Sequence, residues 1–250
     1  MSKFFVNSIV GVDFCACPNI ELTGADANHI KNVLRLKIDD EITICTQEQK
    51  NYVASICGID KNKVVCKIER EIEADTETTC HITIFQGLPK ADKFEHIIQK
   101  CTELGVKEIY PVHMARTIVK LDEKSKTAKL ARWEKIAETA SKQCNRNSVL
   151  QVHTCIPINN IPEIAKDYNI LIVPYEKETK LTLKETLKST SRGNEKIGVV
   201  IGPEGGFEAQ EIELLKQTNA KIVTLGSRIL RTETVAPFIT AILLYHQNEI

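Results

Sequence analysis

Apolar residues are placed with two different rhythms in the first part of the chain. Residues 3–10 and the runs EITICTQ, NYVASICGI and KVVCKIERE are short, β-branched and bounded by turns, which predicts a small β-rich unit. ADANHIKNVLRL interrupts them: Ile30, Val33, Leu34 and Leu36 lie near helical spacing and leave His29, Lys31 and Arg35 outside. The acidic stretch EREIEADTETT, residues 69–79, has no core pattern and reads as a linker.

Beyond it the pattern changes. HITIFQG and EIYPVH read as strands, KFEHIIQKCTELG as a helix stopped by Gly105, and KLARWEKIAETASKQC as a helix with Leu130, Trp133, Ile136 and Ala140 on one face. NILIVPYE, IGVVIG and AKIVTLG are continuous apolar strands separated by helical stretches, and TVAPFITAILLYHQ closes the chain as an apolar helix. Alternating strand and helix predicts an α/β unit whose parallel sheet is covered on both faces. The expected division is residues 1–73 and 74–250.

Composition narrows the classes. The 250 residues are 42% apolar and 26% charged, with 33 basic and 33 acidic side chains, so overall charge argues for neither nucleic acid nor membrane. Its distribution says more: the balance is −4 over 1–86, +5 over 87–150 and −1 over 151–250. Nine cysteines at 15, 17, 45, 57, 66, 80, 101, 144 and 155 form no CxxC pair, which predicts buried, reduced thiols in a cytoplasmic protein. The CAC at 15–17 lacks partners for a zinc site, and no metal is expected. The opening MSKFFVNSIVGVDFCACP is interrupted by Asn7 and Asp13 and alternates like a strand, unlike a secretion signal. No apolar run approaches the roughly 20 residues of a membrane span.

Candidate chemistry lies at three strand ends, residues 173–178, 201–207 and 225–234, because ligands of parallel sheets collect outside the carboxyl edge. In IGPEGGFEAQEIELL, Gly205 and Gly206 permit close approach and Pro203 stiffens the turn. Glu204, Glu208 and Glu211 would repel an anion, so phosphate is the weaker ligand, and a tight connection without any ligand is the plain alternative. LGSRILRTETVAP sets two arginines, three hydroxyl residues and an acid between a strand and an apolar helix. An ordinary helix start with Thr232 as N-cap explains Thr232 and leaves Arg228 and Arg231 without a task.

These last two segments resemble the signature of the RsmE family, 16S ribosomal RNA methyltransferases acting on N3 of a uridine within the knotted SPOUT superfamily. HIKNVLRLKIDDE, LPKADKFEHIIQKCTELGVKEIYPV, RTIV and RWEKIAETASKQCNR resemble further parts of that family in the same order, so the likeness covers essentially the whole chain. Lys3 stands where arginine is common in the family, and Asn145 where glycine is frequent, which predicts a differently shaped loop before Arg146.

The resemblance implies a PUA-like RNA-binding domain ahead of a SPOUT-type, trefoil-knotted methyltransferase domain, with S-adenosylmethionine as methyl donor. Leu225, Gly226, Ile229, Leu230 and Thr234 would hold it on one side, and Tyr175, Gly202, Pro203, Glu204 and Gly205 on the other. A sulfonium cation suits an acidic, glycine-bent loop. Arg231 would stabilise negative charge on the uracil oxygens, and Glu233 would be the base or simply a helix-dipole carboxylate. His29, Arg35, Lys90, Lys93, Arg116 and Arg146 are the expected RNA contacts, the partner being 16S ribosomal RNA or an assembled small subunit. His81, His113, His153 and Trp133 are assigned to packing. A homodimer through the terminal helix is expected, with burial inside one chain as the alternative. Rival readings are a SPOUT enzyme for another RNA position, a noncatalytic ribosome-assembly factor, and a metabolite-binding α/β protein.

Overall fold

The computed structural model describes residues 2–6, 19–73, 76–119, 121–193 and 195–250, so Cys15, Cys17 and the strand expected over 7–10 lie outside the described residues. The chain forms two compact units. The first comprises residues 1–77 together with 142–148, a return that the expected division at 73/74 did not foresee. Its five-stranded sheet contains β1 (Lys3–Val6), β2 (Asn19–Thr23), β3 (Glu41–Thr46), β4 (Asn51–Ile59) and β5 (Lys63–Ile72), in the order β1-β3-β4-β5-β2. β1 runs parallel to β3, and the other pairings are antiparallel. Period-two alternation sends Ile42 and Ile44 into a core with Phe4, Ile20, Ile56 and Val64. The supposed linker begins inside β5, because Ile72 still pairs with Asn51.

The interrupting helix is wound in two ways. α1 (Gly24–Asn28) passes into a π-type turn, His29–Leu34, that ends at Arg35 with φ 54°. Hydrogen bonds to the fifth residue widen the turn, so the ordinary helical face is not kept. Ile30 is buried and Leu34 and Leu36 pack beside the core, but Val33, expected there, is 63% exposed.

Residues 145–148 are tied into this unit by polar bonds. Glu77 accepts hydrogen bonds from Arg146 Nε (3.2 Å) and Nη2 (2.9 Å), from the N–H groups of Asn147 and Ser148, and from the Ser148 hydroxyl. Lys3 donates to Asn147 Oδ1 at 2.7 Å and to the Asn145 carbonyl at 3.1 Å, and burial pushes its pKa down. Asn145 has φ 60°, the left-handed conformation that glycine favours and asparagine tolerates best among other residues. Asn145 thus itself supplies a left-handed turn leading into Arg146.

The second unit holds residues 78–141 and 149–250. Its strands are β6 (His81–Gly87), β7 (Glu108–His113), β8 (Gln151–Val152), β9 (Ile156–Pro157), β10 (Ile170–Pro174), β11 (Lys196–Ile201) and β12 (Ala220–Val223). Its helices are α2 (Lys93–Glu103), α3 (Glu123–Gln143, whose last residues belong to the first unit), α4 (Ile161–Ile164), α5 (Leu183–Lys188), α6 (Ala209–Lys216) and α7 (Thr232–Gln247). All pairings are parallel, in the order β12-β10-β11-β6-β7-β8, with β9 also on β7. Side chains of the central strands alternate between two apolar layers: Ile82, Ile84, Ile197, Val199 and Ile201 on one face, Phe85 and Val200 on the other. Such two-sided burial is why these strands read as continuous apolar runs. Trp133 is buried against Phe94, their rings meeting edge to face at 4.6 Å.

Thiols and histidines depart in part from expectation. Cys66, Cys80 and Cys101 are buried, and burial pushes the pKa values of Cys66 and Cys101 up to about 12, which keeps them protonated. Cys57, by contrast, is exposed. His113 is exposed at the end of β7 instead of packed. His81 and His153 each place Nε2 at 2.7 Å from a different oxygen of Glu108, and the His153 ring stacks on Tyr110 at 3.7 Å. Hydrogen bonds from His153 and then His81 hold the Glu108 carboxyl far below its ordinary 4.5. A depressed folded-state value means that this stability is complete above about pH 4.5 and is lost as the pH falls further. Glu108→Gln should therefore flatten the fall of the Tm below that pH; mutant and parent curves of equal slope would reject the assignment.

Candidate active site

The carboxyl ends of β10, β11 and β12 open into one cleft of about 860 Å³ within the second unit. That volume lies within the range of small-molecule sites, roughly 300–1,000 Å³. One wall is residues 201–207, the other runs from Thr224 to Glu233, and Tyr175, Glu176 and Glu178 complete it. Tyr175, Gly202, Pro203, Glu204, Gly205, Leu225, Gly226, Ile229 and Leu230 all line it, as do Arg231 and Glu233. Thr234 is exposed in the first turn of α7, between Glu233 and Val235, which line the cleft, and does not itself line it.

Close packing of chain segments shapes this edge. A Cβ on Gly87 would lie 2.6 Å from the backbone nitrogen of Pro203, so the turns after β6 and β11 approach as only a glycine permits. Thr232 is not the N-cap; Arg231 holds that position, and Thr232 begins α7. The Thr232 hydroxyl donates to the Gly202 carbonyl at 2.7 Å and accepts from Gln86 Nε2 at 2.8 Å. Gln86 is completely buried, a polar residue at the end of an apolar strand that the sequence reading passed over. That isolated polar position in HITIFQG was the available signal.

The acids of the glycine loop divide their tasks. Glu211 is buried and accepts from the N–H groups of Ala115 and Glu208, each at 2.8 Å. Glu208 pairs with Arg116 Nε at 3.4 Å, while Arg116 Nη1 donates to the Gly205 carbonyl at 2.8 Å. Glu204 alone of the three lines the cleft. Burial pushes its pKa up, but hydrogen bonds from the N–H of Lys90, its own N–H and Lys93 outweigh that and hold it below the usual value. The acidic character that argues against phosphate therefore rests on Glu204, with Glu176, Glu178 and Glu233 beside it.

The expected RNA contacts separate. His29 and Arg35 are exposed on the first unit, and Lys90 is exposed on the second. Arg146 is only 2% exposed and bonded to Glu77, so it is withdrawn: its charge is consumed inside the first unit. Arg116 is directed onto the glycine loop, and Lys93 lines the cleft, where Nζ lies 3.1 Å from Glu204 and 3.3 Å from Glu233.

A methyl donor of the expected kind fits these residues. Gly226 has φ 106° and nothing within 4 Å of where its Cβ would be, leaving an open cradle flanked by Leu225 and Leu230. Ile229 exposes 84% of its surface beside it, an apolar group suited to a flat ring. Glu233 Oε2 is buried in the cleft wall with Lys93 Nζ at 3.3 Å, so this carboxylate is held at the edge of the cradle.

Comparison with known proteins agrees with this geometry. The family model described as an RNA methyltransferase domain matches residues 76–244, and an RNA methyltransferase PUA domain matches 22–69. Ribosomal RNA small subunit methyltransferase E of Bacillus subtilis (strain 168) is 34% identical over 253 aligned residues, covering 100% of this chain and 98% of that protein. The chain belongs to the ribosomal RNA small subunit methyltransferase E family. The fold is of the SPOUT type expected for it. Its namesake from Mesomycoplasma hyopneumoniae (strain 232) is 30% identical, covering 96% of this chain and 97% of that one. A crystal structure of the Neisseria gonorrhoeae family member bound to S-adenosyl methionine superposes with a TM-score of 0.85, at 28% identity and with 98% and 97% of the two chains covered.

Proposed function

We propose that this chain transfers the methyl group of S-adenosylmethionine to N3 of a uridine in 16S ribosomal RNA. The observation that carries this reading is the cleft where an acidic glycine loop faces an apolar cradle beside Arg231. Bound there, the donor supplies a methyl on a sulfonium: its S–C bond breaks with the electron pair left on sulfur, N3 gains the carbon, and the N3 proton leaves. Leu225, Gly226, Ile229 and Leu230 hold adenine and ribose, opposite Tyr175, Gly202, Pro203, Glu204 and Gly205. Arg231 stabilises negative charge on the uracil carbonyls. Glu233, whose carboxylate is held by Lys93 Nζ at 3.3 Å, accepts the N3 proton.

Arg35 and Lys90 are exposed cations for RNA phosphates, with His29 exposed as a further RNA contact, whether the substrate is free RNA or the assembled small subunit. A homodimer forms through α7, on which Phe238 is 40% and Tyr245 74% exposed. No helix among the described residues is long and apolar enough to cross a membrane, and the protein works in the cytoplasm.

Calorimetric titration with S-adenosylmethionine, followed by methyl transfer to ribosomal RNA from a strain lacking this activity and mass-spectrometric mapping, tests the reading. A binding isotherm and an N3-methyluridine in the 16S molecule are expected. Absence of heat defeats the donor assignment, and a label at another position or in another RNA defeats the substrate.

A further inference from the structure

Lys93 was expected at the RNA surface, yet it meets two carboxylates from opposite walls of the cleft. It opens α2, and Nζ lies 3.1 Å from Glu204 on the glycine loop and 3.3 Å from Glu233 in the first turn of α7. The Lys90 N–H donates to the same Glu204 oxygen at 3.1 Å, so residues 90–93 grip that loop twice. We propose that Lys93 is a positioning residue: its ammonium sutures the two walls, fixing the glycine loop against the entrance of α7 and aiming the Glu233 carboxylate.

The charge arithmetic favours this task. Without the ammonium, two carboxylates face one another across a partly enclosed site, where like charges repel more strongly than in bulk water. Glu204 can then retreat toward solvent, and Glu233 loses the ammonium paired with it at 3.3 Å. Glu204 first, and Glu233 with it, hold the Lys93 pKa above its ordinary value, so the ammonium stays charged throughout the neutral range. An RNA phosphate would have to compete with both carboxylates for this cation.

The inference rests on the methyl-transfer reading, but two measurements separate their failures. Amide hydrogen exchange of the intact, cofactor-free chain reads the suture directly: Lys93→Met should speed exchange in 202–207 tenfold or more, while Lys93→Arg, which can bridge both carboxylates, should restore protection. In steady state, Lys93→Met should lower kcat at least tenfold and leave the RNA KM and its salt dependence within threefold, with turnover recovered in Lys93→Arg. In a Glu204→Gln background, removing the Lys93 charge should slow turnover further by less than threefold, since half the suture is already gone. Unchanged exchange in Lys93→Met overturns the proposal, as does a raised RNA KM with a shallower salt slope, the mark of a phosphate contact. Should no variant or parent transfer methyl, the functional reading fails and the exchange result still decides the role of Lys93.

Discussion

Arg231→Ala is expected to lower kcat by about 10²–10³-fold, the usual loss when one preorganised group facing developing charge is removed. The binding constant for S-adenosylmethionine should move far less, because the apolar cradle and the glycine loop hold the donor without the guanidinium. Arg231 sits at the N-cap of α7, lines the cleft and is exposed there, so truncation opens no cavity in the core. Its backbone is held by the turn into α7: the Thr234 N–H donates to the Arg231 carbonyl at 2.8 Å, a bond the variant keeps. Arg231→Lys should recover only part of the loss, since an ammonium lacks the planar fork that can face both edges of an anionic carbonyl system. Single-turnover kinetics beside calorimetry checks this. Full turnover in the alanine variant would remove Arg231 from the mechanism, and an equal loss in donor affinity would make it a binding residue.

The second large effect is on stability. Arg146→Ala leaves Glu77 half-satisfied beside Asn147 and Ser148, in a place where the arginine is 2% exposed. Breaking a buried pair by removing one partner costs about 3–5 kcal/mol, because the remaining charge has lost both its counter-ion and its water. For a chain of this length that corresponds to a fall in Tm on the order of 10 °C. Arg35→Ala, on an exposed arginine, should change stability by no more than about 0.5 kcal/mol. Urea unfolding of both variants, with RNA binding measured at two salt concentrations, distinguishes the roles. A stable Arg146→Ala protein that binds RNA weakly would restore Arg146 to the RNA surface.

Arg146, Arg116 and Lys93 share one lesson. Each was recognisable as a cation in the positively charged middle segment, and each meets a carboxylate of its own chain, although Arg116 also stays exposed. Periodicity tells which side of an element is apolar. It does not tell which carboxylate a long charged side chain will find, because Glu77, Glu208, Glu204 and Glu233 lie 69, 92, 111 and 140 positions away respectively. Val33 failed for a more local reason, since a π-type turn changes the angular step on which the helical face was read.

By itself the sequence determined the parallel α/β unit, the β-rich unit before it and the three turns that form the cleft. Strands buried on both faces and glycine-bent turns impose residue types that stand out in one dimension. Only the tertiary structure decided which charges serve the cleft and which hold the chain together, that Thr232 and Gln86 lock the edge, and that residues 142–148 return to the first unit. Those outcomes depend on pairings between distant residues, and a side chain's task is set by the partner that folding brings within about 3 Å of it.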